Sequence, residues 1–207
     1  MTEIQQNFVT PASETTLQQV AGRIRERNIE VLVVKNGEEA RQVVLERLPK
    51  GAEVHSASSK TLLDAGIFDA IQDPDQYNAL RHQFMKMDRK TQGREIRKLI
   101  AAPDFMLGSV HAITEDGILV TASATGSQFG PYASTAGKLL LVVGSQKIVP
   151  DLETAFRRIR DYVAPWEDAR LRQTINMGTY IGKILIIERE WIKERTTVIL
   201  VREPIGV

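Results

Sequence analysis

The 207-residue sequence contains no cysteine. That absence excludes disulfides, thiolate nucleophiles and iron–sulfur ligation by this chain, so any cluster it works with has to sit on a partner. Charge of one sign is also lacking: 27 basic and 26 acidic side chains leave a net charge of +1, with no global field to gather nucleic acid or an anionic membrane. No apolar run approaches the ~20 residues that a membrane helix needs. The start, MTEIQQNFVTPAS, has neither a basic region nor an apolar leader, so a cytoplasmic location and a loose arm over residues 1–12 are expected. Internal repeats and low-complexity segments are absent, as are a GxGxxG fingerprint, a P-loop and a nucleophile elbow. The three histidines, at 55, 82 and 111, lie at no compact ligand spacing, which speaks against a metal site. His55 and His111 fall in strand patterns, where either faces a pocket or sits hydrogen-bonded in the core.

What is present suits a single α/β domain over residues 13–207, since 43% hydrophobic and 26% charged residues are ordinary globular proportions. Leu17, Val20, Ala21 and Ile24 recur at helical spacing behind Ser13, a ready N-cap. IEVLVVK (29–35) then reads as a buried strand, and NGEEARQVVLERLPKG (36–51) as a helix with a capping-box start at Asn36 and Glu39. AEVHSA is a further strand, and SSKTLLDAGIFDAIQ a helix opening on two hydroxyls. The polar stretch 73–103 predicts two helices at a sheet edge, the first starting at Asp73-Pro74.

DFMLGSVHAI (104–113) predicts one strand, turned through Glu115, Asp116 and Gly117 into ILVTA. GKLLLVVG (137–144) has the continuous apolar texture of a strand covered on both faces. Beyond Pro150 a long helix is broken or restarted at Pro165, and two more strands close the chain. The order implies a Rossmann-like α/β fold, a mostly parallel sheet with helices on both faces plus a hairpin near 118. Ligands in such sheets bind beyond the carboxyl ends of the strands.

Two loops at such ends draw attention. In SATGSQ, Ser123, Thr125, Ser127 and Gln128 surround Gly126, which frees the backbone to form an anion-binding concavity; alternatively, the hydroxyls only satisfy the loop's own backbone. In VGSQKIV, Lys147 is a phosphate or carboxylate clamp or else a surface lysine. Ser58 and Ser59, with Lys60 and Thr61, open a helix and favour anions there, although N-capping explains them as well. Glu115 and Asp116 offer a nucleophile or base if the fold buries one of them, against the alternative of a solvated turn. The arginines of RRIR (157–160) read as a solvated face, with Phe156 and Ile159 on the buried side.

SSKTLLDAGI, the block from LGSVHAITEDGILV through to VAPWEDAR, and the terminal TTVILVREPIGV together resemble the LUD domain, the lactate-utilization protein C family, over roughly residues 15–207. The resemblance implies the fold shared by ribose-5-phosphate isomerase, glucosamine-6-phosphate deaminase and class I CoA-transferases. It also implies a non-redox role beside iron–sulfur proteins that oxidise L-lactate to pyruvate, with no cofactor on this chain and a small anionic metabolite as ligand. TEDGIL further resembles the turn carrying the catalytic glutamate of class I CoA-transferases. That likeness makes Glu115 the candidate nucleophile of a stand-alone enzyme acting on a CoA ester or sugar phosphate, although Asp116 stands where that family has Asn.

Overall fold

The computed structural model describes residues 8–207. Most of the arm expected over residues 1–12 therefore lies outside the described residues; within the described part, the Phe8 side chain is buried. Helix α1 (Glu14–Glu26) starts at Ser13, whose hydroxyl accepts from the Thr16 N–H, and it buries Leu17, Val20, Ala21 and Ile24. Strand β1 (Glu30–Val34) leads into α2 (Gly37–Arg47). Asn36 caps α2 by accepting from the Glu39 N–H at 3.0 Å. The Glu39 carboxylate reaches back to the Lys35 N–H at 2.7 Å, one residue earlier than in a standard capping box.

After β2 (Glu53–Ser56), the helix expected over 58–72 is interrupted: α3 (Lys60–Asp64) ends and α4 (Ile67–Ala70) restarts at Gly66, which adopts a left-handed φ of 64°. Asp73-Pro74 does not open a helix. The Asp73 carbonyl instead accepts from the Gln76 and Tyr77 N–H groups in a tight turn, and the chain enters a two-residue edge strand, β3 (Asn78–Ala79). The two helices of this region are α5 (Leu80–Phe84) and α6 (Gly93–Ala101).

The strand expected over 104–113 is two strands, β4 (Phe105–Gly108) and β5 (Ala112–Thr114), in different sheets. The bend between them, Ser109 to His111, becomes part of the site. The predicted hairpin joins β5 to β6 (Leu119–Ser123). A π-helical turn, Pro131–Thr135, precedes the central strand β7 (Lys138–Gly144), and a 3-10 turn, Ser145–Lys147, leads to β8 (Ile148–Val149). Helix α7 (Leu152–Arg158) runs through a π turn, Ile159–Val163, into α8 (Ala164–Ile175), and β9 (Lys183–Ile187) and β10 (Thr196–Val201) complete the chain. Pro165 falls in the first turn of α8 and does not break the rod. A proline in a regular helix would clash with the carbonyl four residues back, and the wider turn just ahead of it relieves that crowding.

Six strands form a wholly parallel sheet in the order β1-β10-β7-β4-β2-β3. This is the mixed α/β architecture expected, and β7 shows why its sequence lacks alternation. Leu139, Leu141 and Val143 face α1, while Leu140 and Val142 face α2, α3 and α4, so every position from Leu139 to Val143 is core. A second sheet, β8-β5-β6-β9, packs Ile113 and Leu119 into the α1 side and turns Ala112 and Val120 toward α7. A cleft lies where the carboxyl ends of β2, β4 and β7 meet β6.

Candidate functional site

A cleft of about 320 Å³ opens at that junction, within the size range of small-molecule sites. Its floor comes from the bend after β4 and the turn after β7, its rim from the loops after β2 and β6, and its far wall from the second π turn, α8 and residues 179–181. A wider depression of about 690 Å³ lies at the opposite, amino-terminal end of the sheet. Its charges are already engaged, Arg47 with Glu30 at 2.7 Å and Lys138 with the Glu194 carbonyl at 2.8 Å. The smaller cleft sits at the ligand-binding end of a parallel sheet and holds groups that are not neutralised.

Foremost among these is Lys147. It is no surface lysine: only 2% of it is exposed, and its Nζ lies 2.9 Å from Thr61 Oγ1, 3.1 Å from Ser109 Oγ and 3.3 Å from the Val110 carbonyl. No carboxylate pairs with it among the described residues, since Asp64, the nearest acidic influence, is bonded to Lys60. Burial, and then the Arg158 charge, push its pKa well below the lysine range against a weaker opposing pull from Asp64.

Arg158 corrects the reading of RRIR as a solvated face. Arg157 and Arg160 are exposed, but Arg158 is fully buried. It donates to the His111 carbonyl at 2.6 Å and the Phe8 carbonyl at 3.3 Å, and its guanidinium lies against the Phe8 and Tyr162 rings. Its Nε has no partner and no carboxylate reaches it among the described residues. Burial brings its pKa down to about 10. One long helix presents arginines to both sides, and only packing decides which of three similar residues turns inward.

His111 lines the cleft. Its Nδ1 accepts from the Ala122 N–H at 3.0 Å and meets the Thr121 hydroxyl at 3.0 Å, which puts the ring proton on Nε2. Burial, then the Lys147 and Arg158 charges, pull its pKa down to about 3, so the ring is neutral and serves as a hydrogen-bond donor. His55 is buried in the core with its Nδ1 unpartnered, edge-on to Phe84, and is pulled down to about 4 by burial and by Arg81.

Tyr132, on the first π turn, accepts from the Ser109 N–H and donates to the Ser109 carbonyl, both at 3.2 Å. This pair fixes the bend after β4. It also explains Gly108, where a Cβ would stand 1.6 Å from the Tyr132 hydroxyl oxygen.

The sequence-derived candidates divide clearly. Ser58, Ser59, Ser123, Thr125, Ser127, Gln128 and Lys147 all line the cleft, with Lys60 and Thr61 beside them. Within the SATGSQ loop, however, much of the hydrogen-bonding capacity is spent locally. Ser123 accepts from the Gly126 N–H at 2.9 Å and donates to Gln128 Oε1 at 3.1 Å, and Thr125 accepts from the Ser127 N–H at 3.3 Å. Gly126 has the expected positive φ, 77°, but its N–H is turned onto Ser123. Glu115 does not join the cleft: it is exposed in the β5–β6 turn, its N–H donating to the Val149 carbonyl at 2.9 Å. That turn docks on α1 instead, with Arg27 Nε donating to the Asp116 carbonyl at 2.7 Å. Sequence reasoning passed over Ser109, Tyr132 and Arg158; the π turns that place Tyr132 and close the far wall have no sequence signature to betray them.

The described residues include no group of three or more His, Asp or Glu able to hold a metal ion, and no helix among them is long and apolar enough to cross a membrane.

A DUF162 family protein from Deinococcus radiodurans is similar in fold, with a TM-score of 0.51 at 12% identity over 92% of this chain and 99% of that one. No curated protein matches the sequence. The LUD domain profile matches residues 17–201, from the first core residue of α1 to the last residue of β10. The chain belongs to the LUD domain family, a lactate-utilization-related family.

Proposed function

We propose that this chain is a non-redox subunit or accessory protein of an iron–sulfur system that oxidises L-lactate, and that its cleft holds a small anionic ligand. The carrying observation is the pair of buried basic side chains at the cleft, Lys147 lining its floor and Arg158, which carries the charge, bonded to the His111 carbonyl just behind it, with no carboxylate paired to either among the described residues. A buried charge without a partner is costly, and an anion entering the cleft supplies one. The rim of Ser58, Ser59, Thr125, Ser127 and Gln128 offers uncharged hydrogen-bonding groups that fit a carboxylate or hydroxyl without further charge. Family membership supports the lactate context, and the lack of cysteine fits a subunit whose redox centre is carried elsewhere.

The reading is tested by lactate-dependent dye reduction with the iron–sulfur partners, purified with and without this chain. Activity that requires the chain, together with co-purification, supports it. Full activity in its absence sinks it.

A further inference from the structure

The cleft contains more nucleophilic chemistry than anion binding requires. Arg158 already supplies a lasting charge for a carboxylate, whereas Lys147 is enclosed, shifted toward its neutral form, and bonded to two hydroxyls and one carbonyl. We propose that Lys147 is a covalent catalytic residue whose amine captures the ketone carbon of a 2-oxo acid as a Schiff base. This inference rests on the small-anion reading of the cleft and names the class of that anion.

The hydrogen bonds suit an amine that must shed its proton. Thr61 donates to Ser109 and Ser109 to the Val110 carbonyl, both at 3.3 Å, so the two hydroxyls spend their protons within the cluster and do not depend on Nζ keeping all three of its own. A neutral amine gives one N–H to the Val110 carbonyl and one to a hydroxyl oxygen, which leaves its lone pair free to attack a bound ligand. Enclosure and the neighbouring Arg158 charge favour the neutral form, as reactive lysines require. Location agrees as well, because Lys147 ends the 3-10 turn after the central strand, at the carboxyl edge where such folds bind ligands.

The step balances without any co-reactant. The Lys147 amine adds to the carbonyl carbon and loses a proton as the carbonyl oxygen becomes a hydroxyl; that hydroxyl then leaves as water when the C=N bond forms. Thr61 and Ser109, 3.3 Å apart and both bonded to Nζ, provide the hydroxyl relay for the proton. His111, neutral with its proton on Nε2, lines the same cleft as a donor for the departing oxygen or the carboxylate. The 2-oxo acid's carboxylate answers the Arg158 charge behind the His111 carbonyl, which remains when Lys147 is neutral.

The test treats the purified chain with pyruvate as the probe and sodium cyanoborohydride as the trap, reading intact mass and a peptide map, while thermal shift with pyruvate alone reports binding. The expected result is one adduct per chain, on Lys147, formed at least tenfold faster than on any other lysine. It should be absent with L-lactate, which has no carbonyl, and lost in Lys147→Met. The wild-type map is decisive even if that variant misfolds. Pyruvate that stabilises the protein but leaves Lys147 unlabelled overturns the Schiff base and leaves the anion site standing. Labelling spread evenly over exposed lysines, or neither shift nor label, overturns the proposal as well; the latter also removes 2-oxo acids from the anion reading.

Discussion

At the scale of single residues, the site depends on close approaches that admit little change. Gly108 passes directly beneath the Tyr132 hydroxyl, and Tyr132 in turn holds both backbone groups of Ser109, a neighbour of Lys147 Nζ. Gly108→Ala therefore forces the tyrosine out of place. Overpacking of this kind costs about 1–3 kcal/mol, and for a chain of this length each kcal/mol lowers the Tm by roughly 2–4 °C. Thermal unfolding checks it, and a variant with unchanged Tm would show that Tyr132 relocates freely. Glu115 makes the opposite case. Exposed and outside the cleft, it should be replaceable by Gln with no change in ligand-induced thermal shift, and a lost shift would return it to the site.

At the scale of elements, one buried ion pair connects the start of β10 to the site wall. Arg195 lies 2.7 Å from Glu190 and also donates to the carbonyls of Pro131, Tyr132 and Ala136, so it fastens the π turn that carries Tyr132. Burial pushes the Glu190 carboxyl up, but hydrogen bonds from Thr196 and Arg195 outweigh it and hold the group below the usual range. Removing one member of such a pair costs about 3–5 kcal/mol. Arg195→Met is expected to destabilise the fold by that order and to weaken ligand binding in the cleft, read by chemical denaturation and by thermal shift. A variant that loses stability but binds normally would show that the π turn holds itself. Asp151, which caps α7 by accepting from the Thr154 N–H at 2.7 Å, touches nothing in the cleft. Asp151→Ala should cost about 1 kcal/mol and leave binding unchanged.

For the whole molecule, the enclosed histidines set a pH dependence. His55 and His111 have folded-state pKa values of about 4 and about 3, below the ordinary 6.5. The unfolded chain thus takes up protons where the folded chain does not. Their contribution to stability is complete above pH 6.5 and is lost as pH falls toward 4 for His55 and toward 3 for His111. Each pH unit in that window removes up to about 1.4 kcal/mol per histidine. Urea midpoints measured from pH 7 to pH 4 should fall steadily, and His55→Phe should flatten part of the slope. A flat profile in the wild type would mean that both rings are solvated.

The sequence by itself determined the α/β class, the covered central strand, the caps at Ser13 and Asn36, and the hairpin at Gly117, because propensity, period and turn chemistry act between near neighbours. It also brought together most of the cleft rim, since hydroxyl-rich loops at strand ends of a parallel sheet converge on one edge. What it lacked was any local sign that 104–113 divides between two sheets, or that Arg158 points inward while Arg157 and Arg160 do not. Those outcomes depend on contacts between residues far apart in the chain. The state of Lys147 is the clearest instance: its enclosure by Thr61, Ser109 and Val110, and the Arg158 charge behind them, exist only once β2, β4, β7 and α7 have packed.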